Sequence, residues 1–287
     1  MRVAVVLTAV GSAGAVQAGL LVALTERGVR PAAFVGSSAG AVNAAVMAAG
    51  GGGHAAAVEL AGLWSSVPAD LLAVSPAGAL AGLLGDRGHV LPPGLLRARL
   101  ARHVRLDRLE EAPVAVHLIA ADASSGEPLV LSRGPALDAV MASAALPGLL
   151  PAVRWNGSSL VDGSLAAAGA LDHALGLRAD RVLVLGRPGS DRAADGGVAA
   201  VAVRTLSMLA RRQLALDVAR HPPAPRVTTV CPPPVDPADF SALPRLVEHG
   251  IAEGRRLLSS QPGWPPTAAA GSPACPRGAR RGATAHR

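Results

Sequence analysis

Gly36-Ser37-Ser38-Ala39-Gly40 joins an apolar run, Pro31-Ala-Ala-Phe-Val35, to a stretch of small residues from Ala39 to Ala49. The first run reads as a short buried strand and the second as a helix of small side chains. A serine at so tight a strand-to-helix turn projects its hydroxyl outward. The glycines on either side permit strained backbone and a close approach of helix to strand. The N–H groups that open the helix point at the same spot and favour negative charge there. Ser38 is therefore a candidate nucleophile. The pentapeptide alone is a weak signal, because a glycine-rich turn capping a helix looks the same.

Outward from the elbow, strand-like and helix-like stretches alternate. Val3-Ala-Val-Val-Leu7 reads as a strand, and a helix from about Gly14 stops at Gly28. Further strands are expected at Val114–Ala121, Pro128–Leu131, Arg181–Leu185 and Arg226–Val230. Helices are expected at 55–65, Leu95–His103, Ala136–Ala145, Leu171–Leu177, Gly197–Arg220 and, for the most part, Ala238–Leu258. Asn156-Gly157 marks a hairpin turn. Several strands are continuous Val/Leu/Ala runs, which argues for an α/β protein whose largely parallel sheet is buried on both faces. Pro68–Gly94 is an apolar segment broken by Pro and Gly, read as a cap or lid.

Composition narrows the function classes. Half of the 287 residues are apolar, enough for one sizeable core. There is no Tyr and no Lys, and two Phe, so that core is built from Ala, Val and Leu. The formal charge is +7. Arg277, Arg280, Arg281 and Arg287 lie in a final stretch without an acid, which leaves the rest of the chain near +3. Few aromatics and no basic helical cluster argue against nucleic acid as a partner. Residues 1–258 read as one domain, and 259–287, rich in Pro, Gly, Ala and Arg, as a disordered tail. Cys231 and Cys275 have no metal spacing and suggest no disulfide framework, so both read as incidental. The uncharged run from Val3 to Thr25 is long enough for a membrane span, but Gly11, Ser12, Gly14, Gln17 and Gly19 break it into strand, loop and helix. A cytoplasmic protein with transient contact to a membrane surface is expected.

A serine hydroxyl needs a base. None of the eight histidines lies in a loop with an Asp or Gly partner of triad type. Asp162, in Leu160-Val161-Asp162-Gly163-Ser164, stands at a strand end beside a turn. As a base it would need a partly dehydrated pocket to lift its pKa from about 4.

Taken in order, Gly11-Ser-Ala-Gly14, Gly19-Leu-Leu21, Gly36-Ser-Ser-Ala-Gly-Ala-Val-Asn43, Ala120-Ala-Asp-Ala-Ser-Ser-Gly126, Ala142-Ser-Ala-Ala-Leu-Pro-Gly148, Val161-Asp-Gly163 and Gly250-Ile-Ala-Glu-Gly254 resemble the bacterial patatin-like phospholipases. The resemblance runs over about 1–257. It implies a three-layer α/β/α fold and hydrolysis of lipid esters through an acyl-enzyme, with Ser38 as nucleophile and Asp162 as base. It implies no cofactor and no metal. The oxyanion would be held by N–H groups of Val10, Gly11, Ser12 and Ala39, and the motif glycines are Gly11, Gly14, Gly36, Gly40 and Gly163. The chain departs from the family at Ala9-Val10-Gly11-Ser12-Ala13-Gly14, where the family reads glycine-glycine-glycine, any residue, arginine, glycine. Ser164 replaces the usual Gly or Ala. Two other readings stay open: a weakened patatin-fold protein that binds lipid or a partner, and a Ser-His-Asp hydrolase or acyltransferase.

Overall fold

The computed structural model describes residues 1–70, 89–166, 169–186, 197–221, 227–231 and 234–259. Eight strands form one sheet. They are β1 (Val3–Ala9), β2 (Ala33–Ser38), β3 (Ala115–Asp122), β4 (Pro128–Leu131), β5 (Val153–Trp155), β6 (Ser158–Asp162), β7 (Arg181–Leu185) and β8 (Val227–Val230). Their order is β5-β6-β3-β2-β1-β7-β8, with β4 also paired to β3. The β3-β2-β1-β7-β8 part is parallel, and β4, β5 and β6 add an antiparallel edge. The mixed, mostly parallel sheet carries helices on both faces, as the unbroken apolar strands predict.

One face is covered by α1 (Ala13–Glu26), α2 (Ala39–Ala49), α3 (His54–Ser65), the helix α4 (Pro93–Ala101), α5 (Ala136–Ser143) and the last described helix, α8 (Leu243–Ser259). The other is covered by α6 (Ala170–Gly176) and α7 (Val198–Arg220). Alternation along β1 divides the cores: Val3, Val5 and Leu7 enter the larger, and Ala4 and Val6 the smaller. Every residue of α1 from Gly14 to Thr25 is buried. The uncharged N-terminal run is thus a buried strand and helix. Among the described residues no helix is long and apolar enough to cross a membrane.

Two expectations change. β2 begins at Ala33, not Pro31, because proline has no N–H to give a ladder. The final helix starts at Leu243, not Ala238, because Ser241 turns back to donate its N–H to Asp239 Oδ1 (2.9 Å) and residues 236–237 are held elsewhere. Cys231 lies just past β8, and Cys275 lies outside the described residues. Residues 71–88 of the expected lid and 260–287 of the expected tail lie outside the described residues, while Ser259, read as the start of the tail, ends the final helix.

Candidate active site

The chain passes β1, β2 and β3 in one direction across the sheet and later returns to place β7 and β8 on the other side of β1. The loop after β1 therefore opens at the point where strand order reverses, beside the carboxyl ends of the strands. Ligands of open α/β sheets collect there. The elbow ends β2 at the same edge, with Ser38 in register with Ala9.

Ser38 has φ 56° and ψ −130°, a region that costs a non-glycine residue about 1–3 kcal/mol. The surroundings hold it there. A Cβ on Gly40 would lie 2.0 Å from the Leu7 carbonyl oxygen, so only glycine lets α2 start against β1. Gly40→Val is accordingly expected to lower stability by roughly 3 kcal/mol or more, since backbone lies on both sides of the clash. Chemical denaturation measures it, and a loss below about 1 kcal/mol would show that the helix can shift. The hydroxyl of Ser38 is then aimed from a fixed turn, and Ala39, the first helical residue, has an N–H that enters no backbone hydrogen bond among the described residues.

Behind the elbow a buried polar chain locks α1 to α2. Trp64 Nε1–H donates to Asn43 Oδ1 (2.7 Å), and Asn43 Nδ2–H donates to the Gly14 carbonyl (3.0 Å) and Gln17 Oε1 (3.1 Å). Gln17 in turn donates to the Leu185 carbonyl of β7. The start of α1, and with it the loop after β1, is set relative to the elbow. An asparagine and a glutamine inside alanine-rich helices were the sequence signal for this network.

Asp162 ends β6 opposite Ala120 of β3. The register that pairs Gly36 with Leu118, continued by two residues, sets Ser38 level with the same Ala120. Ser38 and Asp162 therefore flank one residue of β3 from its two sides. Oδ1 of Asp162 accepts from the Ser164 N–H (2.9 Å) and the Ser164 hydroxyl (2.7 Å). Oδ2 is buried and has no partner at normal hydrogen-bond distance and angle. The Ser38 hydroxyl nevertheless acts on this carboxylate as a donor. A loose contact of this kind is common before substrate arrives. Asp162 is fully buried. Burial pushes its carboxyl up from the ordinary value, against the opposing pull of the Ser38 and Ser164 donors. The dehydration that a basic aspartate requires is present.

A Cβ on Gly163 would sit 1.8 Å from the Ile119 carbonyl oxygen, which accounts for the glycine after Asp162. The four expected oxyanion donors fare differently. The N–H groups of Val10 and Gly11, like that of Ala39, enter no backbone hydrogen bond among the described residues. Ser12 is a correction: its N–H donates to the Pro237 carbonyl (2.9 Å) and its hydroxyl to the Asp236 carbonyl (2.8 Å). Arg204 of α7 holds Asp236 through Nε–Oδ1 (2.9 Å) and Nη2–Oδ2 (2.6 Å). The segment at 236–237 thus lies on the loop, and nothing in its own sequence foretold that. Val10, where the family has glycine, is buried among Leu91, Leu146, Leu149, Leu150 and Val203. Its side chain has become part of the core.

No described histidine is hydrogen-bonded to Ser38 or Asp162. His117 and His173 lie ring against ring in a tilted pair, centroids 4.8 Å apart, and burial with the neighbouring ring lowers the His117 pKa to about 4. His221 pairs with Asp172, and His103 with Glu59. A cavity of about 80 Å³ lies beside the site, lined among others by Thr8, Gly163, Ser164, Arg211, Asp217 and Pro237. Ser38 itself is 3% exposed. Lipid-sized pockets are several times larger, at about 300–1,000 Å³.

Several known proteins are similar to this chain. The sequence model of the family described as patatin-like phospholipase matches residues 5–175, which include Ser38 and Asp162. An uncharacterized NTE family protein of Mycobacterium tuberculosis (strain CDC 1551 / Oshkosh), MT2641, is 33% identical over 156 residues, 54% of this chain and 25% of that protein. The chain matches about a quarter of that relative's length. Among solved structures, VipD from Legionella pneumophila aligns with 90% of this chain and 67% of its own (TM-score 0.49, 13% identity). ExoU, in its complex with SpcU from the type III secretion system of Pseudomonas aeruginosa, aligns over 90% and 51% (TM-score 0.42, 16% identity).

Proposed function

The chain belongs to the patatin-like phospholipase family, and from that premise we propose that it is a lipid acyl hydrolase working through a Ser38–Asp162 dyad. The observation that carries the reading is a strained Ser38 beside a fully buried carboxylate whose Oδ2 has, among the described residues, no hydrogen-bond partner of normal geometry. Asp162 takes the hydroxyl proton as Ser38 Oγ bonds to the ester carbonyl carbon. The oxygen that becomes negative is met by the Ala39 N–H and the start of α2, with Val10 and Gly11 as further donors. Collapse breaks the ester C–O bond, and the leaving alkoxide takes the proton back from Asp162. Water, deprotonated by Asp162, then releases the acid and restores Ser38.

The membership supports lipid hydrolysis in general. The substrate is placed here as a carboxylic ester of a lipid, reached by transient contact with a membrane surface. Intact-mass analysis after fluorophosphonate treatment tests the proposal. One adduct on Ser38 is expected. A second reading, a lipid-binding protein without turnover, draws on the burial of Ser38 and on the 236–237 segment lying on the loop. A folded protein that takes no label would favour it.

A further inference from the structure

We infer that Ser164 is a positioning residue for the base: its hydroxyl and its own N–H hold Oδ1 of Asp162, leave Oδ2 for Ser38, and set the pH at which the base ionises. The inference rests on the dyad reading above and adds a residue to it.

The geometry is specific. Asp162 caps the single turn Gly163–Leu165, and the Ser164 N–H at 2.9 Å closes that turn. Any residue at 164 would supply this N–H. The second bond, from the hydroxyl at 2.7 Å to the same oxygen, needs serine or threonine. With Oδ1 carrying two donors, the carboxylate cannot rotate without losing both. Hydrogen bonds to an ionised carboxylate are stronger than neutral ones and stabilise the charged form. Ser164 therefore makes Asp162 easier to ionise than burial alone would allow. It also lines the cavity beside Asp162.

Charged groups nearby do not account for the same effect. β3, packed against β6, carries His117 and Asp122; α5 carries Asp138, paired with Arg97; and α7 carries Arg211 and Asp217 on the cavity wall. Among the described residues, the influences on Asp162 are burial and the donors of Ser38 and Ser164, with no charged side chain among them. Removing the Ser164 hydroxyl takes away a donor that lowers the pKa, so the pKa rises. The active, ionised base is then lost at a higher pH as the solution is acidified.

The test is the pH profile of kcat/KM on a soluble nitrophenyl ester for wild type, Ser164→Ala and Ser164→Thr, with melting curves for each. The acid limb should move up by about one pH unit in Ser164→Ala, the size expected for one hydrogen bond to a charged group. Above the limb the rate should stay within about tenfold of wild type. Ser164→Thr should restore the wild-type limb. The same shift should appear in the titration of the Asp162 carboxyl carbon by NMR, assigned against Asp162→Asn, which needs no turnover. If the carboxyl titrates unchanged in a folded Ser164→Ala, the inference is wrong. If instead Asp162→Asn keeps full turnover, the dyad reading fails, and the NMR result still decides what Ser164 does to the carboxylate.

Discussion

Ser38→Ala is expected to lower kcat on a nitrophenyl ester by at least about 10⁴-fold while the melting temperature moves by no more than a few degrees. Removing a nucleophile that forms the covalent intermediate costs more than removing any single donor, because the whole two-step route disappears. Stability is spared because Ser38 makes no hydrogen bond of normal geometry that holds the fold, and alanine fills nearly the same buried volume. The strained backbone at φ 56° remains in the alanine variant. Ser38→Gly should be equally inactive but more stable than Ser38→Ala by about 1 kcal/mol, since glycine pays little for that region. Turnover surviving in either folded variant would remove Ser38 from the chemistry.

Asp162→Asn should reduce kcat by about 10²–10⁴-fold, the usual worth of a general base. Its effect on stability has the opposite sign. Burial raises the Asp162 pKa in the folded state, so folding favours the protonated acid. Wild-type stability from this group is present at low pH and lost as pH rises through the raised folded value. The carboxamide does not ionise. The variant should therefore melt no lower than wild type at pH 8, and the difference in its favour should shrink as pH falls toward the ordinary aspartate range. A variant that is inactive and also much less stable at pH 8 would point to a structural carboxylate. Single replacement of each histidine should leave turnover within about tenfold. A larger loss in a folded variant would bring the triad alternative back.

Local pattern was enough for much of this protein. The apolar runs of β1, β2, β3 and β7, the helix that stops near Gly28, and the Asn156-Gly157 hairpin are each written in a few consecutive residues, because backbone geometry and side-chain period act over that range. The elbow was legible for the same reason: Gly36, Ser38 and Gly40 are neighbours in the chain. Asp162 could be picked out as a strand-end carboxylate, but only the register of β2 and β6 on either side of β3 brings it to Ser38. The family resemblance, rather than spacing, anticipated that pairing.

Other features depended on which groups meet from distant parts of the chain. A backbone N–H serves either a substrate or another carbonyl, and at Ser12 the carbonyl of Pro237 wins. Val10 reads as a poor loop residue until Leu149, Leu150 and Val203 are seen to bury it. The hydroxyl of Ser164 reads as a small variation until it is found on Oδ1 of Asp162. Period and turn chemistry are set by neighbours along the backbone, so sequence alone carries them. The partner of a buried polar group is set by packing, so only the tertiary structure decides it.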